Sequence, residues 1–406
     1  MKIYLLGNIA NVQTGPFGSQ LHKEDYVEFG TPMVTVEHLG NRAFTKQNLP
    51  MISDSDKKRL NKYVLNEGDI VFSRVGSVDR CSYVDNKHLG WMFSGRCLRI
   101  RPCNVVYPLY LYYYFCMENT KQFIRNIAVG ATMPSINTKL MKDLEVPLPT
   151  KEIQQKIASI LSALDDKIEL NNKINENLEL QAQAIFKSWF VDFEPFGGVM
   201  PEDMREVPLN ELCEIVTKGT TPTTIGKHFS DKGINFLKAE SILQNHSFDR
   251  NKFAHIDNDT HKVLKRSIIK EGDIVFTIAG TLGRFALVDN TIIPANTNQA
   301  VAIIRANKNV ISSEYLYSFF IGNWHNEYYA KRVQQAVQAN LSLATIKSLP
   351  IFVLSNKDMM RYNDLVTPIC KAMKANEYEN LCLSALRDTL LPKLMNGEID
   401  VSKVKI

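Results

Sequence analysis

The residues best equipped for chemistry sit in glycine-bearing loops at matching places in two halves of the chain. After Ile70-Val71-Phe72 comes Ser73-Arg74-Val75-Gly76-Ser77-Val78-Asp79-Arg80, and after Ile274-Val275-Phe276 comes Thr277-Ile278-Ala279-Gly280-Thr281-Leu282-Gly283-Arg284. Near the start of each half lie Gln13-Thr14-Gly15-Pro16-Phe17-Gly18-Ser19-Gln20 and Thr217-Lys218-Gly219-Thr220-Thr221-Pro222. Glycine lets a backbone approach a ligand closely, hydroxyls and amides suit phosphate oxygens, and an arginine fork matches a guanine edge. The candidate nucleic-acid contacts are therefore Thr14, Gly15, Ser19, Gln20, Ser73, Arg74, Ser77 and Arg80 in the first half. In the second they are Lys218, Gly219, Thr220, Thr221, Thr277, Thr281 and Arg284. An ordinary surface loop can hold the same residues, so composition leaves both readings open.

Catalytic signatures are missing. Gly226-Lys227 has threonine where a phosphate-binding loop needs its first glycine, and no hydroxyl residue follows the lysine. There is no G-x-G-x-x-G after a strand, no H-E-x-x-H, no G-x-S-x-G and no Asn-Pro-Pro-aromatic motif. The eight histidines are scattered, and the seven cysteines form no C-x-x-C pair and no zinc spacing, so no metal ligand set is expected. A net charge of +5 permits a polyanionic partner without requiring one. No apolar run reaches membrane-spanning length and no signal peptide opens the chain, which points to a cytoplasmic protein with no membrane partner.

The elements that must position those loops are repeated. Glu67-Gly68-Asp69-Ile70-Val71-Phe72 returns as Glu271-Gly272-Asp273-Ile274-Val275-Phe276, and Val84-Asp85-Asn86 as Val288-Asp289-Asn290. Leu5, Val12 and Gly15 return at the same spacing as Leu209, Val216 and Gly219. Tyr110-Leu111-Tyr112 returns one residue later than that spacing, as Tyr315-Leu316-Tyr317. An ordered series with a single slip is a tandem duplication. Each copy mixes strands and helices. Asp69–Arg74, Asp273–Ile278 and Cys97–Arg101 read as strands, and Tyr107–Asn126 and Ser313 to about Lys331 as helices. Pro-containing strands at Leu144–Pro149 and Leu349–Leu354 close each copy.

A long helix follows each globular part. With Ile157 at a heptad d site, the 4-3 positions are Leu161, Leu164, Ile168, Asn171, Asn175, Leu178, Ala182, Ile185 and Trp189. The second copy keeps the register through Tyr362, Val366, Ile369, Met373, Asn376, Asn380, Leu383, Arg387, Leu390 and Leu394. This is a coiled-coil seam. Asparagines in mid-seam fix register, because only matched amides satisfy one another. Antiparallel pairing sets Asn171 on Asn380 and Asn175 on Asn376, with Leu164 against Arg387 as the one uncomfortable layer. The seam alone also fits parallel helices; the globular part lying between them in sequence selects the antiparallel dumbbell. The expected fold is α+β: two mixed globular domains separated by a long antiparallel coiled coil, related by a pseudo-twofold repeat. Its parts are 1–149, a helix over 150–194, a Pro/Gly linker over 195–206, a second domain over 207–354, a helix over 355–397 and a tail over 398–406.

The seam helices also carry apolar residues off the seam, at Ile160, Leu170, Ile174, Leu180, Phe190, Tyr378, Leu381, Leu386 and Leu391. An apolar surface on a second side of a helix pair calls for another helix or for coverage by the globular parts. Leu170, Leu180, Tyr378 and Leu381, far from either globular part, are the candidate partner contacts.

Two helix ends, Ala184-Ile185-Phe186-Lys187-Ser188-Trp189-Phe190-Val191-Asp192-Phe193 and Leu386-Arg387-Asp388-Thr389-Leu390-Leu391-Pro392-Lys393-Leu394-Met395-Asn396-Gly397-Glu398-Ile399, carry a family resemblance. With the repeated Glu-Gly-Asp-Ile-Val-Phe and with Pro147-Leu148-Pro149, the chain resembles the specificity subunit of a type I restriction–modification system. It departs in its short N-terminal lead, Met1-Lys2-Ile3-Tyr4, and in Phe352-Val353-Leu354, which lacks a second Pro-Leu-Pro. The resemblance implies two target-recognition domains, each reading one half of a bipartite double-stranded DNA site. It implies as partners two methyltransferase subunits, with S-adenosylmethionine, and motor-nuclease subunits, with ATP and magnesium. The chain itself would be non-catalytic and hold no cofactor. A stand-alone two-module DNA-binding regulator and a protein-binding adaptor are the competing readings.

Overall fold

A computed structural model describes residues 1–16, 20–40, 42–325, 328 and 340–404. The chain forms two compact units, Met1–Ile168 with Cys382–Ile406, and Glu169–Leu381, so each long helix contributes residues to both.

In the first unit a four-stranded antiparallel sheet has the order Ala10–Thr14, Cys97–Pro102, Ile70–Ser73, Cys81–Tyr83. Both its faces are covered, which is why Ile70-Val71-Phe72 is apolar throughout rather than alternating. Ile70 and Phe72 meet the tyrosine-rich helix side with Tyr110, Tyr113 and Phe115. Val71 joins the opposite core with Met33, Val34, Ile52 and Phe93. That second core lies under a small mixed sheet of Tyr26–Val27, Met51–Ile52, Thr31–Val34 and Met92–Phe93. The second unit repeats the plan with Cys213–Lys218, Val301–Ala306, Ile274–Thr277 and Phe285–Leu287. Its small sheet is Ala254–Ile256, Ile234–Leu237, Ala295–Thr297 and Ile268–Ile269. The Pro-containing strands Glu145–Leu148 and Pro350–Val353 pair antiparallel with Lys2–Leu5 and Arg205–Pro208 before each long helix begins.

The repeated Glu-Gly-Asp has a structural purpose. Gly68 and Gly272 adopt φ of +87° and +86°, a left-handed conformation that glycine enters without a Cβ penalty. The aspartate that follows is buried and bidentate to an arginine on the neighbouring strand. Arg101 Nε and Nη2 donate to Asp69 at 2.7 Å each, and Arg305 Nε and Nη2 donate to Asp273 at 2.7 Å each. The amides of Asn66 and Lys270 add a third donor, at 2.8 and 2.7 Å. Hydrogen bonding to the carboxylates raises the pKa of both arginines against the opposing effect of burial. Charge-assisted, fully satisfied pairs of this kind keep buried charge tolerable.

The expected helix over Tyr107–Asn126 is two helices, Pro108–Cys116 and Glu118–Ile127. Met117, with φ −63° and ψ 135°, is extended and breaks the run. In the second unit the counterpart opens with the helix Ser313–Ile321, which ends at Gly322.

The long helices run Lys151–Phe190 and Asn356–Met395, 40 residues each, or roughly 60 Å at about 1.5 Å per residue. They pair antiparallel, and the asparagines show it in the second unit. Asn171 Nδ2 donates to Asn380 Oδ1 at 2.9 Å, and Asn376 Nδ2 donates to Asn175 Oδ1 at 2.8 Å. Asn175 and Asn380 use their remaining donors on the Met373 carbonyl and Asn172. Ala182, Ile369 and Met373 are buried in one core with Leu178 against them. In the first unit Ile157, Ala158 and Leu161 share a core with Leu391, Leu394 and Met395. The Arg387 layer is not strained as the heptad suggested. Its guanidinium reaches Asp165 at 2.7 Å, a carboxylate that also accepts from the Tyr113 hydroxyl at 2.7 Å. Burial opposes the charge on Arg387, but the hydrogen bond and charge of Asp165 outweigh it and raise its pKa.

Candidate nucleic-acid interface

In each unit the variable loops gather at one end of the central sheet, because Thr14 and Ser73 end their strands where Cys97 begins its own. The Gly15 amide donates to Cys97 O at 3.2 Å and the Arg74 amide to Arg96 O at 2.8 Å. The second unit repeats both bonds, from Gly219 to Val301 O at 3.3 Å and from Ile278 to Ala300 O at 2.8 Å. A further segment arrives at the same end: Ile136 donates to Arg74 O at 3.0 Å, and Leu341 to Ile278 O at 2.9 Å. The connections Ser94–Arg96 and Asn298–Ala300, and the stretch before Ile136, were absent from the sequence-derived set. Their signal was available, since Ser94-Gly95-Arg96 and Asn298-Gln299-Ala300 occupy matching positions and share no residue.

The structure redistributes the candidates. Gly15 and Gly219 are buried, and a Cβ on them would lie 2.2 Å from Ser94 O and 2.0 Å from Thr297 O. Their glycine serves chain-to-chain approach, not approach to a ligand. Ser73 and Thr277 are also buried, and they close turns: Ser73 Oγ donates to Val75 O at 3.0 Å and Thr277 Oγ1 bonds Thr281 O and Arg284 O. All four are buried at strand ends that are packed on both faces.

The arginines are partly committed. Arg80 donates to Leu39 O, and Arg284 donates to Ile242 O at 3.1 Å. In both units the acceptor follows a short 3-10 helix, Val36–His38 or Ala239–Ser241, so this arginine straps the loop to the same element twice. Thr281 reinforces the strap through Ala239 O at 3.1 Å. Arg74 Nη1 donates to Gly95 O at 3.2 Å. The candidates that face solvent are Ser77, Arg80 and Lys218, exposed, with Thr14, Gln20, Arg74, Thr220, Thr221, Thr281 and Arg284 half-buried. Gln20 Oε1 accepts from the Tyr63 hydroxyl at 2.7 Å. Thr220 Oγ1 accepts from Arg266 at 2.9 Å, and the Thr221 hydroxyl donates to Gln299. Arg266 and Gln299 are exposed side chains that the sequence reading overlooked. Ser19 lies outside the described residues.

A second surface lies on the helices of the second unit. Leu170, Leu180, Tyr378 and Leu381 are 51, 62, 57 and 36 % exposed, with Ile174 beside them at 38 %. Phe190 and Leu391, from the same off-seam set, are instead buried in the globular cores. Among the described residues no group of three or more His, Cys, Asp and Glu could hold a metal ion, and no helix is long and apolar enough to cross a membrane.

The family described as "Type I restriction modification DNA specificity domain" matches residues 1–180 and again 201–353, one stretch for each copy of the sheet-and-loop plan. The chain belongs to this family. A specificity subunit of the type I restriction enzyme MjaIX of Methanocaldococcus jannaschii is 27 % identical over 315 residues, covering 75 % of this chain and 72 % of that one. The HindI specificity subunit of Haemophilus influenzae is 27 % identical over 408 residues, covering 83 % and 88 %. A crystal structure of the type I S subunit from M. genitalium superposes with a TM-score of 0.56 at 17 % identity, covering 97 % of this chain and 95 % of that chain. That likeness gives the fold of the family its two-copy plan.

Proposed function

We propose that this chain is the DNA-recognition subunit of a type I restriction–modification complex, each sheet end reading one half of a bipartite, asymmetric double-stranded site. The observation that carries this is the contrast between the copies. Everything that builds the sheet is repeated, from the Asp69–Arg101 and Asp273–Arg305 pairs to the Arg80 and Arg284 straps, while the solvent-facing loop residues at the sheet end differ. A duplicated scaffold with two unlike reading ends suits two unlike half-sites.

In this reading the exposed stripe of Leu170, Ile174, Leu180, Tyr378 and Leu381 docks helices of methyltransferase subunits, and motor-nuclease subunits complete the complex. S-adenosylmethionine, ATP and magnesium belong to those partners, the chain contributes no catalytic group, and the assembly works in the cytoplasm. The test is co-expression with the methyltransferase subunit followed by sequencing of adenine methylation in the host genome. The expected result is one bipartite motif with an unread spacer. A chain that binds its site with full affinity and no partner, or a complex that leaves no sequence-dependent methylation, overturns the proposal.

A further inference from the structure

Two neighbouring threonines in the second unit hold two long polar side chains from different segments. Thr220 Oγ1 accepts from an Arg266 Nη2–H at 2.9 Å, and the Thr221 hydroxyl donates to Gln299 Oε1. The turn that carries them is itself fixed, since the Thr220 amide donates to Thr297 O at 3.2 Å. Both long side chains are exposed, at the end of the sheet where the loops converge. Held rotamers lose less entropy on binding than free ones, so this is a preorganised pair rather than two loose surface chains.

The duplication separates their roles. Arg266 lies in the short 3-10 helix Lys265–Ser267, whose counterpart in the first unit, Asn61–Tyr63, places Lys62 at the same position. A cation is kept there in both copies although the remaining loop residues differ. A point charge and a fork can each neutralise a phosphate, a contact that carries no sequence information. Gln299, by contrast, matches Gly95. The register fixes that equivalence, because Val34 pairs with Phe93 where Leu237 pairs with Thr297, and Arg96 O and Ala300 O accept matching amides. A side chain present in one copy and missing in the other is suited to reading sequence.

We propose that Gln299 is a base-reading residue of the second half-site, specific for an adenine, and that Arg266 positions the DNA backbone beside it; this rests on the function proposed above. The chemistry of the amide makes the assignment. The Thr221 hydroxyl occupies one lone pair of Gln299 Oε1. The second lone pair and both N–H groups stay available for the adenine N6 donor and N7 acceptor in the major groove. Arg266 gives one N–H to Thr220 and retains its other donors for a phosphate.

The experiment uses the full chain assembled with its methyltransferase subunits and a pool of randomised duplex DNA, with bound sequences recovered and compared. Gln299→Ala is expected to lose preference at one adenine of one half-site by roughly 5- to 150-fold, the range for a bidentate base contact, with the other half-site unchanged. Gln299→Arg is expected to move that position toward guanine. Arg266→Ala is expected to weaken all sequences alike and to lower the salt slope of binding by about 1. Melting temperatures equal to wild type show that these exposed substitutions leave the fold intact. An unchanged motif in both Gln299 variants overturns the reading of Gln299. A position-specific loss from Arg266→Ala overturns its positioning role. If the wild-type complex recovers no motif at all, the proposed function fails first, and that outcome is distinct from either of the others.

Discussion

Removing one member of the Asp273–Arg305 pair is expected to destabilise the second unit by about 3–5 kcal/mol, the cost of leaving a buried charge without its partner. The structure supports the full range. The Asp273 side chain is 1 % exposed, that of Arg305 is 15 %, and two 2.7 Å hydrogen bonds join them. The double variant Asp273→Leu with Arg305→Met removes both charges together; it leaves the Lys270 amide without the carboxylate it donates to at 2.7 Å and takes a 3.4 Å bond from the Ile268 carbonyl. One unsatisfied buried donor costs about 1–3 kcal/mol. The double change should therefore be milder than either single change and far milder than their sum. For a unit of this size, each kcal/mol lowers Tm by about 2–4 °C, so the single variants should melt roughly 6–20 °C lower. Tryptophan fluorescence isolates the unit, since Trp189 and Trp324 lie in it and Trp91, in the other unit, can be replaced by phenylalanine. A single-variant loss under about 1 kcal/mol, or a double variant as damaged as the sum of the singles, would refute the claim that the repeated Glu-Gly-Asp exists to anchor this pair.

Cysteines at Ala182 and Ile369 should cross-link within one chain on oxidation, whereas cysteines at Ala182 and Arg387 should not; the reverse pattern on a non-reducing gel would mean parallel helices. Burial lowers the pKa of His325 to about 3, so it is neutral in the fold, and the unfolded chain takes up its proton near 6.5. Its contribution is complete above pH 6.5 and declines as pH falls from there toward 3, by up to about 1.4 kcal/mol per unit; urea midpoints at pH 7 and 5 should show that slope, and His325→Phe should flatten it. Residues 1 to about 198 should dimerise, because the first helix pairs with a copy of itself with Asn171 on Asn175 and Ile168 on Leu178. Light scattering should report two copies, and with the methyltransferase subunit the methylated motif should be palindromic.

The seam was legible because its evidence is local and discrete. Asn171, Asn175, Asn376 and Asn380 mark a register in sequence, and the globular part lying between the two helices selects the direction that the amides leave open. The sheet was legible through Ile70-Val71-Phe72 and its repeat. The loop end was read more coarsely. Arg80 and Arg284 read as ligand-gripping arginines, and the sequence did not show that each also straps its loop to a carbonyl, Leu39 or Ile242, some forty residues upstream. Gly15 and Gly219 follow the same logic, since the backbone they accommodate belongs to another strand connection. Gln299 was missed because its role depends on Thr221, which is distant in sequence. The break at Met117 has no proline or glycine to announce it; tertiary packing of the tyrosines overrides a run that continues on helical periodicity alone.

The first unit draws part of its core from two widely separated segments of the chain: Ile157, Ala158 and Leu161 share it with Leu391, Leu394 and Met395. A ribosome makes these partners far apart in time. All of Glu169–Leu381 is synthesised in between, about 10–40 s at roughly 5–20 residues per second. Through that interval the apolar stripe of the first helix stands uncovered on the nascent chain, and the second unit, whose elements are contiguous, is the first able to close. The unit begun first is thus finished last, and the interval before it closes is when chaperones, proteases or a second nascent copy can reach it.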